Sequence, residues 1–191
     1  MRICFVGDSF VNGVGDDDGL GWAGRLCATA RRSGHDVTRY DLGVRGNTSA
    51  QIAERWEREV EARLRLREDG RVVFSFGSND GVQGIDPLHT LAHADAILSR
   101  ARSLWPSLMV GPLPVGAAPA DVRIDALCRS LATLSADRGV PYLRVYEVGT
   151  SEVFRREAAL DDGAHPNRGG YAALADTIAA WEAWTSWFPR A

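Results

Sequence analysis

Short apolar runs alternate along this chain with longer segments in which apolar residues recur every three or four positions. The first run, residues 3–6, is too short for a helix and includes β-branched residues, so it predicts a strand buried on both faces. The longer segments have the spacing of one helix face, as Trp22, Leu26 and Ala30 illustrate. The predicted strands are 3–6, 37–42, 72–76, 108–110 and 142–145; the predicted helices are 22–32, from Thr48 or Ser49 to about 66, 87–105, 121–137 and 171–187.

The order of these elements predicts the fold class. Five strands that alternate with helices favour a parallel sheet, because parallel neighbours require right-handed crossover connections. We therefore expect an α/β protein, a three-layer α/β/α sandwich around a five-stranded parallel sheet. The 191 residues contain no linker, low-complexity tract or internal repeat, so we expect a single domain over residues 1–191.

Charge and composition exclude several functions. The formal net charge is −3, and the charges alternate in sign along the predicted helices, which argues against nucleic acid and anionic membranes as partners. All 22 basic residues are arginine. Without a lysine amine the chain cannot be a P-loop protein, a Schiff-base or pyridoxal enzyme, or a Ser-Lys hydrolase.

Cysteine content and hydropathy bear on the cellular compartment. Cys4, Cys27 and Cys128 are odd in number and lie far apart in apolar segments, which predicts reduced core residues instead of disulfides. No segment approaches membrane-spanning length, and the first apolar run is too short for a signal peptide. We therefore expect a cytoplasmic protein.

The candidate chemistry lies where the predicted strands end. Gly-Asp stops the first strand, so Ser9 lies at the carboxyl edge of the sheet, where open α/β sheets bind ligands. Gly46 and Asn79 follow the second and third strands at the same edge. The loop at residues 162–166 precedes the last helix and can fold back over that edge. These four segments together predict one site.

The residues at this edge suit nucleophilic catalysis. A serine hydroxyl is a poor nucleophile unless a base removes its proton, and His165 suits that role for Ser9. Asp162 would hold the other imidazole nitrogen and stabilise the imidazolium, with Asp161 as the alternative.

The same edge offers donors for a developing oxyanion. We expect the backbone amides of Ser9 and Gly46 and the side-chain amide of Asn79 to surround it, since donors fixed at that point are usually the largest catalytic contribution. A side chain at position 46 would crowd the substrate, and Asn79 donates without a charge of its own.

Other polar motifs have simpler interpretations. The aspartates at 16–18 lack the later ligands of a calcium loop, so we expect a solvated acidic turn. His89 and His93 stand four apart on a predicted helix but lack the third ligand of a zinc site, so we expect two exposed histidines. We expect Asp8 and Asp80 to be hydrogen-bond acceptors that stabilise their loops.

Two features have two interpretations each. Arg45 either recognises an anionic substrate beside the oxyanion position or forms an ion pair with a local carboxylate. The aromatic stripe formed by Trp181, Trp184, Trp187 and Phe188 either packs on the sheet or forms a dimer surface or acyl-chain contact.

Four motifs in this order resemble the SGNH, or GDSL, hydrolase family: Ser9 in Gly-Asp-Ser, Gly46 in Gly-Val-Arg-Gly-Asn, Asn79 in Gly-Ser-Asn-Asp and His165 in Asp-Gly-Ala-His-Pro. The likeness extends over nearly the whole chain. It implies a flavodoxin-like SGNH hydrolase fold, hydrolysis of esters or thioesters through a serine acyl-enzyme, and no metal or other cofactor. Phe10 stands where the family's name has leucine, which bears on local packing and acyl preference.

The sequence therefore predicts a serine esterase or lipase-like acylhydrolase that acts on a small-molecule acyl ester with a small or accessible acyl group. An acyltransferase would use the same residues. A non-catalytic binding module on this fold is a hypothesis from another class, which the complete residue set disfavours. A flavodoxin-like nucleotide or flavin binder would need a phosphate loop that the chain lacks. Whether the protein forms a homodimer is left open.

Overall fold

The computed structural model describes residues 1–65 and 69–188. The strands are β1 (Arg2–Gly7), β2 (Thr38–Gly43), β3 (Gly70–Ser75), β4 (Ser107–Val110) and β5 (Tyr142–Leu143). The helices are α1 (Ser9–Asn12), α2 (Gly21–Arg32), α3 (Ser49–Leu64), α4 (Ser78–Gln83), α5 (Pro87–Leu104), α6 (Ala118–Asp137), α7 (Tyr146–Gly149), α8 (Glu152–Ala158), α9 (Arg168–Ala179) and α10 (Glu182–Thr185).

The five strands form one parallel sheet in the order β2-β1-β3-β4-β5. This confirms the predicted parallel sheet. Gly7 at the end of β1 lies opposite Gly43 of β2 and Ser75 of β3. The strand order changes direction between β1 and β3, and ligands of open α/β sheets bind at the carboxyl ends of strands beside such a switch.

Helices cover both faces of the sheet, because both faces of its inner strands β1, β3 and β4 are apolar and buried. Along β1 the side chain of Phe5 enters a core with α2, α9 and α10, whereas Val6 enters a second core with α3, α5 and α6. Both side chains are fully buried. The three-layer α/β/α sandwich expected from the sequence is therefore confirmed.

The boundaries of most predicted elements lie within a few residues of those observed. Helix α3 begins as expected, and Thr48 and Gln51 form a capping box at its start. Its predicted end, about residue 66, lies outside the described residues. Four short helices, α1, α4, α7 and α8, were not predicted, because four to seven residues are too few to show a periodic pattern.

Two predicted elements end early. The fifth strand was expected to reach residue 145, but β5 ends at Leu143 and Val145 precedes α7. The single helix expected over 171–187 is two helices, since Trp181 between α9 and α10 has an extended backbone with φ −76° and ψ 126°. This break allows Trp184 to pack near Phe5, with their ring centroids 6.3 Å apart. No helix in the described ranges is long and apolar enough to cross a membrane.

Candidate active site

Ser9 lies at the point where the chain leaves β1. Gly7 ends the strand so close to β3 that a Cβ there would lie 2.0 Å from the carbonyl oxygen of Ser75, so a side chain does not fit. The Asp8 carboxylate accepts a hydrogen bond from the Phe10 N–H at 3.0 Å and caps α1. Ser9 is the first residue of that helix and is 4% exposed. Local geometry thus places its hydroxyl at the carboxyl end of β1.

The side chains of Ser9, His165 and Asp162 form a continuous hydrogen-bonded row. His165 Nε2 lies 2.7 Å from Ser9 Oγ, and His165 Nδ1 lies 2.7 Å from Asp162 Oδ2. The structure therefore brings together residues that are 156 positions apart in the chain. Asp162 makes the contact with the imidazole, and not its exposed neighbour Asp161.

Asp162 is held as an anion by its own loop. Its Oδ1 accepts hydrogen bonds from the N–H groups of Ala164 and His165, each at 2.9 Å. Burial opposes ionisation, but these bonds and the contact with the His165 ring lower the pKa of Asp162 to about 2. An ionised carboxylate only accepts hydrogen bonds, so Nδ1 of His165 donates to it. The Nε2 lone pair of a neutral His165 then faces the Ser9 hydroxyl.

The imidazole is packed from two further directions. The ring of Phe10 lies 4.8 Å from that of His165, measured between centroids, and is 2% exposed. Gly15 has φ +89°, and a Cβ there would lie 3.1 Å from the His165 Cβ and 2.8 Å from the Pro166 carbonyl oxygen. The phenyl ring that replaces the family's leucine thus helps to fix the orientation of His165.

The three expected oxyanion donors lie in separate loops at the same edge. Asn79, in the first turn of α4, donates from Nδ2 to the Asn47 carbonyl at 3.0 Å, and its Nδ2 lies 3.4 Å from Asp8 Oδ2. Within the described parts of the chain, the backbone amides of Ser9 and Gly46 donate no hydrogen bond. Those two donors are therefore free for a ligand.

Gly46 is needed for its backbone conformation. It has φ +83°, which L side chains rarely adopt, and a Cβ there would meet no protein atom within 4 Å. From the sequence, the expected reason for glycine at position 46 was that a side chain would crowd the substrate. The positive φ is a second reason for glycine at this position, and it applies to the protein without substrate.

Two buried carboxylates stand behind the site. Asp80 accepts hydrogen bonds from the Ser49 N–H at 2.9 Å, the Ser49 hydroxyl at 2.5 Å and the Thr90 hydroxyl at 3.0 Å, which confirms its expected role in stabilising loops. Asp8 is 1% exposed, and burial raises its pKa to about 7, opposed by the Phe10 N–H and reinforced by the charge of Asp80. Both carboxylates join the loops that carry the expected oxyanion donors.

Asp16 and His93, which belong to the motifs considered as metal ligands, contact other protein side chains instead. The expectation of a solvated turn at 16–18 is wrong for Asp16, because its side chain is buried and forms an ion pair with Arg25. His89 is exposed as expected, but His93 is half-buried with Nδ1 3.1 Å from Ser49 Oγ. Among the described residues, no group of three or more His, Cys, Asp or Glu side chains is arranged to hold a metal ion.

The structure favours one of the two interpretations both for Arg45 and for the aromatic stripe. Nη2 of Arg45 lies 3.4 Å from Asp162 Oδ2 while 66% of the Arg45 side chain is exposed, so the predicted local ion pair is present at the rim of the site. Trp184 is buried in the core, and the other three aromatic residues of the stripe are partly buried against it. The stripe therefore packs on the sheet.

Helix α8 also contributes to the site, although the sequence pattern did not predict it. Arg155 of this helix donates to the carbonyl oxygens of Gly163 and Ala164, between Asp162 and His165. Seven residues give too weak a periodic signal to be recognised. The available signal was Ser151, which caps α8 by accepting from the Phe154 N–H at 3.4 Å.

Comparisons with known proteins identify the family. The sequence model of the GDSL-like lipase/acylhydrolase family matches residues 5–173. Esterase TesA of Pseudomonas aeruginosa is 26% identical over 168 residues, which cover 87% of this chain and 80% of that protein. YpmR of Bacillus subtilis, an uncharacterised protein, is 25% identical over 147 residues, 75% of this chain, and the aligned part spans 51% of YpmR.

A solved structure shows the same fold. Axe2, an acetylxylan esterase from Geobacillus stearothermophilus, superimposes with a TM-score of 0.77 at 18% identity, and the match covers 95% of each chain. At 18% identity, this match shows only that the two proteins share a fold. The family match, in contrast, extends from within β1 into α9 and includes the segments of all four motifs. The chain therefore belongs to the GDSL-like lipase/acylhydrolase family, a family of carboxylic ester hydrolases.

Proposed function

We propose that this chain hydrolyses carboxylic esters through an acyl-enzyme formed on Ser9. The supporting observation is the hydrogen-bonded row in which His165 lies 2.7 Å from both Ser9 Oγ and Asp162 Oδ2. His165 takes the hydroxyl proton as Oγ attacks the acyl carbon, and Asp162 stabilises the resulting imidazolium.

The second half of the reaction uses the same groups. When the tetrahedral intermediate collapses, the bond to the alcohol breaks and His165 gives that oxygen the proton it took from Ser9. A water molecule then attacks the acyl-Ser9 ester while His165 accepts its proton. Collapse of the second intermediate returns this proton to Ser9 and releases the carboxylic acid.

Three donors would stabilise the charge that develops on the carbonyl oxygen. The amides of Ser9 and Gly46 have no intramolecular acceptor among the described residues. Asn79 already uses one amide hydrogen at 3.0 Å, and its longer 3.4 Å contact with Asp8 is the one an oxyanion would replace. Donors fixed in advance need no reorganisation during the reaction, which favours the transition state.

The rim of the site supports a small or accessible acyl group. Val44, Arg45 and Gly46, beside the expected oxyanion position, are all exposed. The named activity of Axe2, an acetylxylan esterase, is compatible with a short acyl chain. Thioesters belong to the proposal because their hydrolysis passes through the same type of intermediate.

The proposal also includes the domain and the cellular compartment in which the reaction takes place. We place the site in one domain of residues 1–191 and in the cytoplasm, where the three free, buried cysteines would stay reduced. Transfer of the acyl group to an alcohol instead of water would use the same residues, so product analysis must separate the two reactions.

The test combines kinetics with covalent labelling. Wild-type protein and Ser9→Ala are assayed on p-nitrophenyl esters of graded chain length, a thioester and an acetylated sugar, and are treated with a fluorophosphonate. We expect the wild type to turn over short esters and to gain one phosphonyl group on Ser9. We expect Ser9→Ala to keep its circular dichroism spectrum and to lose turnover by more than about 10³-fold.

The matched control is Ser103→Ala, an exposed serine on α5, which should react like the wild type. Turnover that survives Ser9→Ala would refute the acyl-Ser9 mechanism. A folded wild type that neither hydrolyses any substrate of the panel nor takes up the label would favour the binding-module alternative.

A further inference from the structure

Helix α8 lies behind the loop that carries Asp162 and His165. Its Phe154 ring lies 6.4 Å from that of Phe10, which packs on His165. Its Glu157 accepts hydrogen bonds from two N–H groups, at 3.1 and 2.8 Å, in the first turn of α9, which follows His165. The helix therefore contacts both the imidazole's packing partner and the segment after it.

Arg155 of this helix contacts the loop itself. Nη1 donates to the Gly163 carbonyl at 3.4 Å, and Nη2 donates to the Ala164 carbonyl at 3.2 Å. On the other side, Asp162 Oδ1 accepts the N–H groups of Ala164 and His165. Ala164, the residue before His165, is thus held through its N–H by Asp162 and through its C=O by Arg155.

Neighbouring residues pack closely around the Arg155 guanidinium and restrict its position. It stacks over the ring of Phe154, with Cζ 5.2 Å from the centroid, and a Cβ at Gly116 would lie 2.4 Å from its Nη1. Burial lowers the pKa of Arg155, an effect that the charge of Asp121 opposes. A partly desolvated cation is costly unless it is hydrogen-bonded. Nε of Arg155 is buried with no partner among the described residues, so the carbonyls of Gly163 and Ala164 are the two acceptors that hold this guanidinium.

We propose that Arg155 is a positioning residue, whose two hydrogen bonds to the loop hold His165 in line with both Ser9 and Asp162. This inference rests on the proposed function. A guanidinium suits the role because its planar fork spans two carbonyl oxygens in a fixed geometry. A displacement of about 1 Å at a reacting group is enough to lower a rate by about 100-fold, so loss of this restraint should reduce kcat.

The first test compares Arg155→Met with Arg155→Lys and with Arg156→Met. Arg156 is the exposed neighbour on the same helix and provides the matched control. On p-nitrophenyl acetate, Arg155→Met should lower kcat by about 10- to 100-fold and leave KM within about twofold, since the binding surface is untouched. Arg155→Lys should recover only part of this loss, because an ammonium does not span both carbonyls. Arg156→Met should match the wild type.

The second test asks whether Arg155 acts through the Asp162–His165 pair. The rate of Ser9 phosphonylation is measured for wild type, Arg155→Met, Asp162→Asn and the double variant. If Arg155 orients that pair, its removal from Asp162→Asn should change the rate by less than about twofold, because effects within one interacting unit are not additive. A purely structural role would give additive losses.

The outcomes separate this inference from the proposed function. A wild type that shows no labelling at Ser9 defeats the proposed function. A wild type that is labelled, with Arg155→Met labelled at the same rate or with fully additive losses in the double variant, defeats the role of Arg155 alone. If Arg155→Met does not fold by circular dichroism, Arg155→Lys takes its place in both tests, and an unchanged rate for it overturns the inference.

Discussion

Each of the expected oxyanion donors is fixed by a different kind of constraint. Gly46 adopts φ +83° and Ser9 begins a helix capped by Asp8, and both conditions are local to their own segments. Asn79 depends on distant partners instead, since its amide donates to Asn47 and lies near Asp8. The buried carboxylate of Asp8 therefore joins the segment of the nucleophile to the segment of Asn79.

We predict that Asn79→Ala lowers kcat far more than it changes KM. The amide would act on charge that exists only in the transition state, and loss of one such donor costs about 2.7 to 4 kcal/mol, or roughly 10²- to 10³-fold in kcat. Steady-state kinetics on a short p-nitrophenyl ester measures the change. Asn12→Ala, at an exposed position at the end of α1, serves as the control. A raised KM with unchanged kcat would make Asn79 a ground-state binding residue.

Short helices at the carboxyl edge have a larger role in the site than their length suggests. α1 begins with the candidate nucleophile, α4 carries Asn79 in its first turn, and α8 supports the loop with Asp162 and His165. None of them is held by its own propensity, because isolated helices this short are unstable in water. Asp8 caps α1 and Ser151 caps α8, and contacts with neighbouring segments hold all three helices.

The break between α9 and α10 makes a separate prediction about stability. Trp184 is 4% exposed and packs near Phe5, whereas Trp187 is only partly buried. Trp184→Ala should therefore lower the free energy of unfolding by about 3 to 5 kcal/mol, through lost burial and the cavity that remains. Trp187→Ala, the control, should cost less. Urea denaturation measures both, and an equal or larger loss for Trp187→Ala would contradict the assignment of Trp184 to the core.

Across the whole molecule, the sheet separates two apolar cores. Ile52 of α3 belongs to one and Ile178 of α9 to the other, and both are fully buried. The strands between them contribute alternate side chains to the two sides, as Phe5 and Val6 show. Ile52 and Ile178 therefore lie on opposite faces of the sheet, and the site stands at the edge where both cores end.

From this arrangement we predict that Ile52→Val and Ile178→Val have additive effects. Each should cost about 0.5 to 1.5 kcal/mol for one deleted methylene. Because the two positions are separated by the sheet, the double variant should lose the sum of the two to within about 0.5 kcal/mol. Chemical denaturation of the two single variants and the double variant gives the answer. A larger deviation would mean that the two cores are coupled through the sheet.

The sequence predicted the strands and long helices well, because their signals are local. An apolar run bounded by glycine marks β1, and a possible cap at Thr48 or Ser49 marks the start of α3. The break at Trp181 and the burial of Asp16 could not be predicted in this way. Each depends on a partner elsewhere in the fold: the core around Phe5 in the first case, and Arg25 in the second.

By itself, the sequence determined which residue types stand at the carboxyl ends of the strands, the parallel direction of the strands, and the absence of any lysine chemistry. Those properties follow from periodicity and composition, which are written along the chain. Only the tertiary structure decided that Asp162 and not Asp161 contacts His165, that Arg45 pairs with Asp162, and that Arg155 reaches the loop between them. Such choices depend on side-chain angles and on distances of a few ångströms that the packing of the folded chain sets, and periodicity and composition contain no information about them.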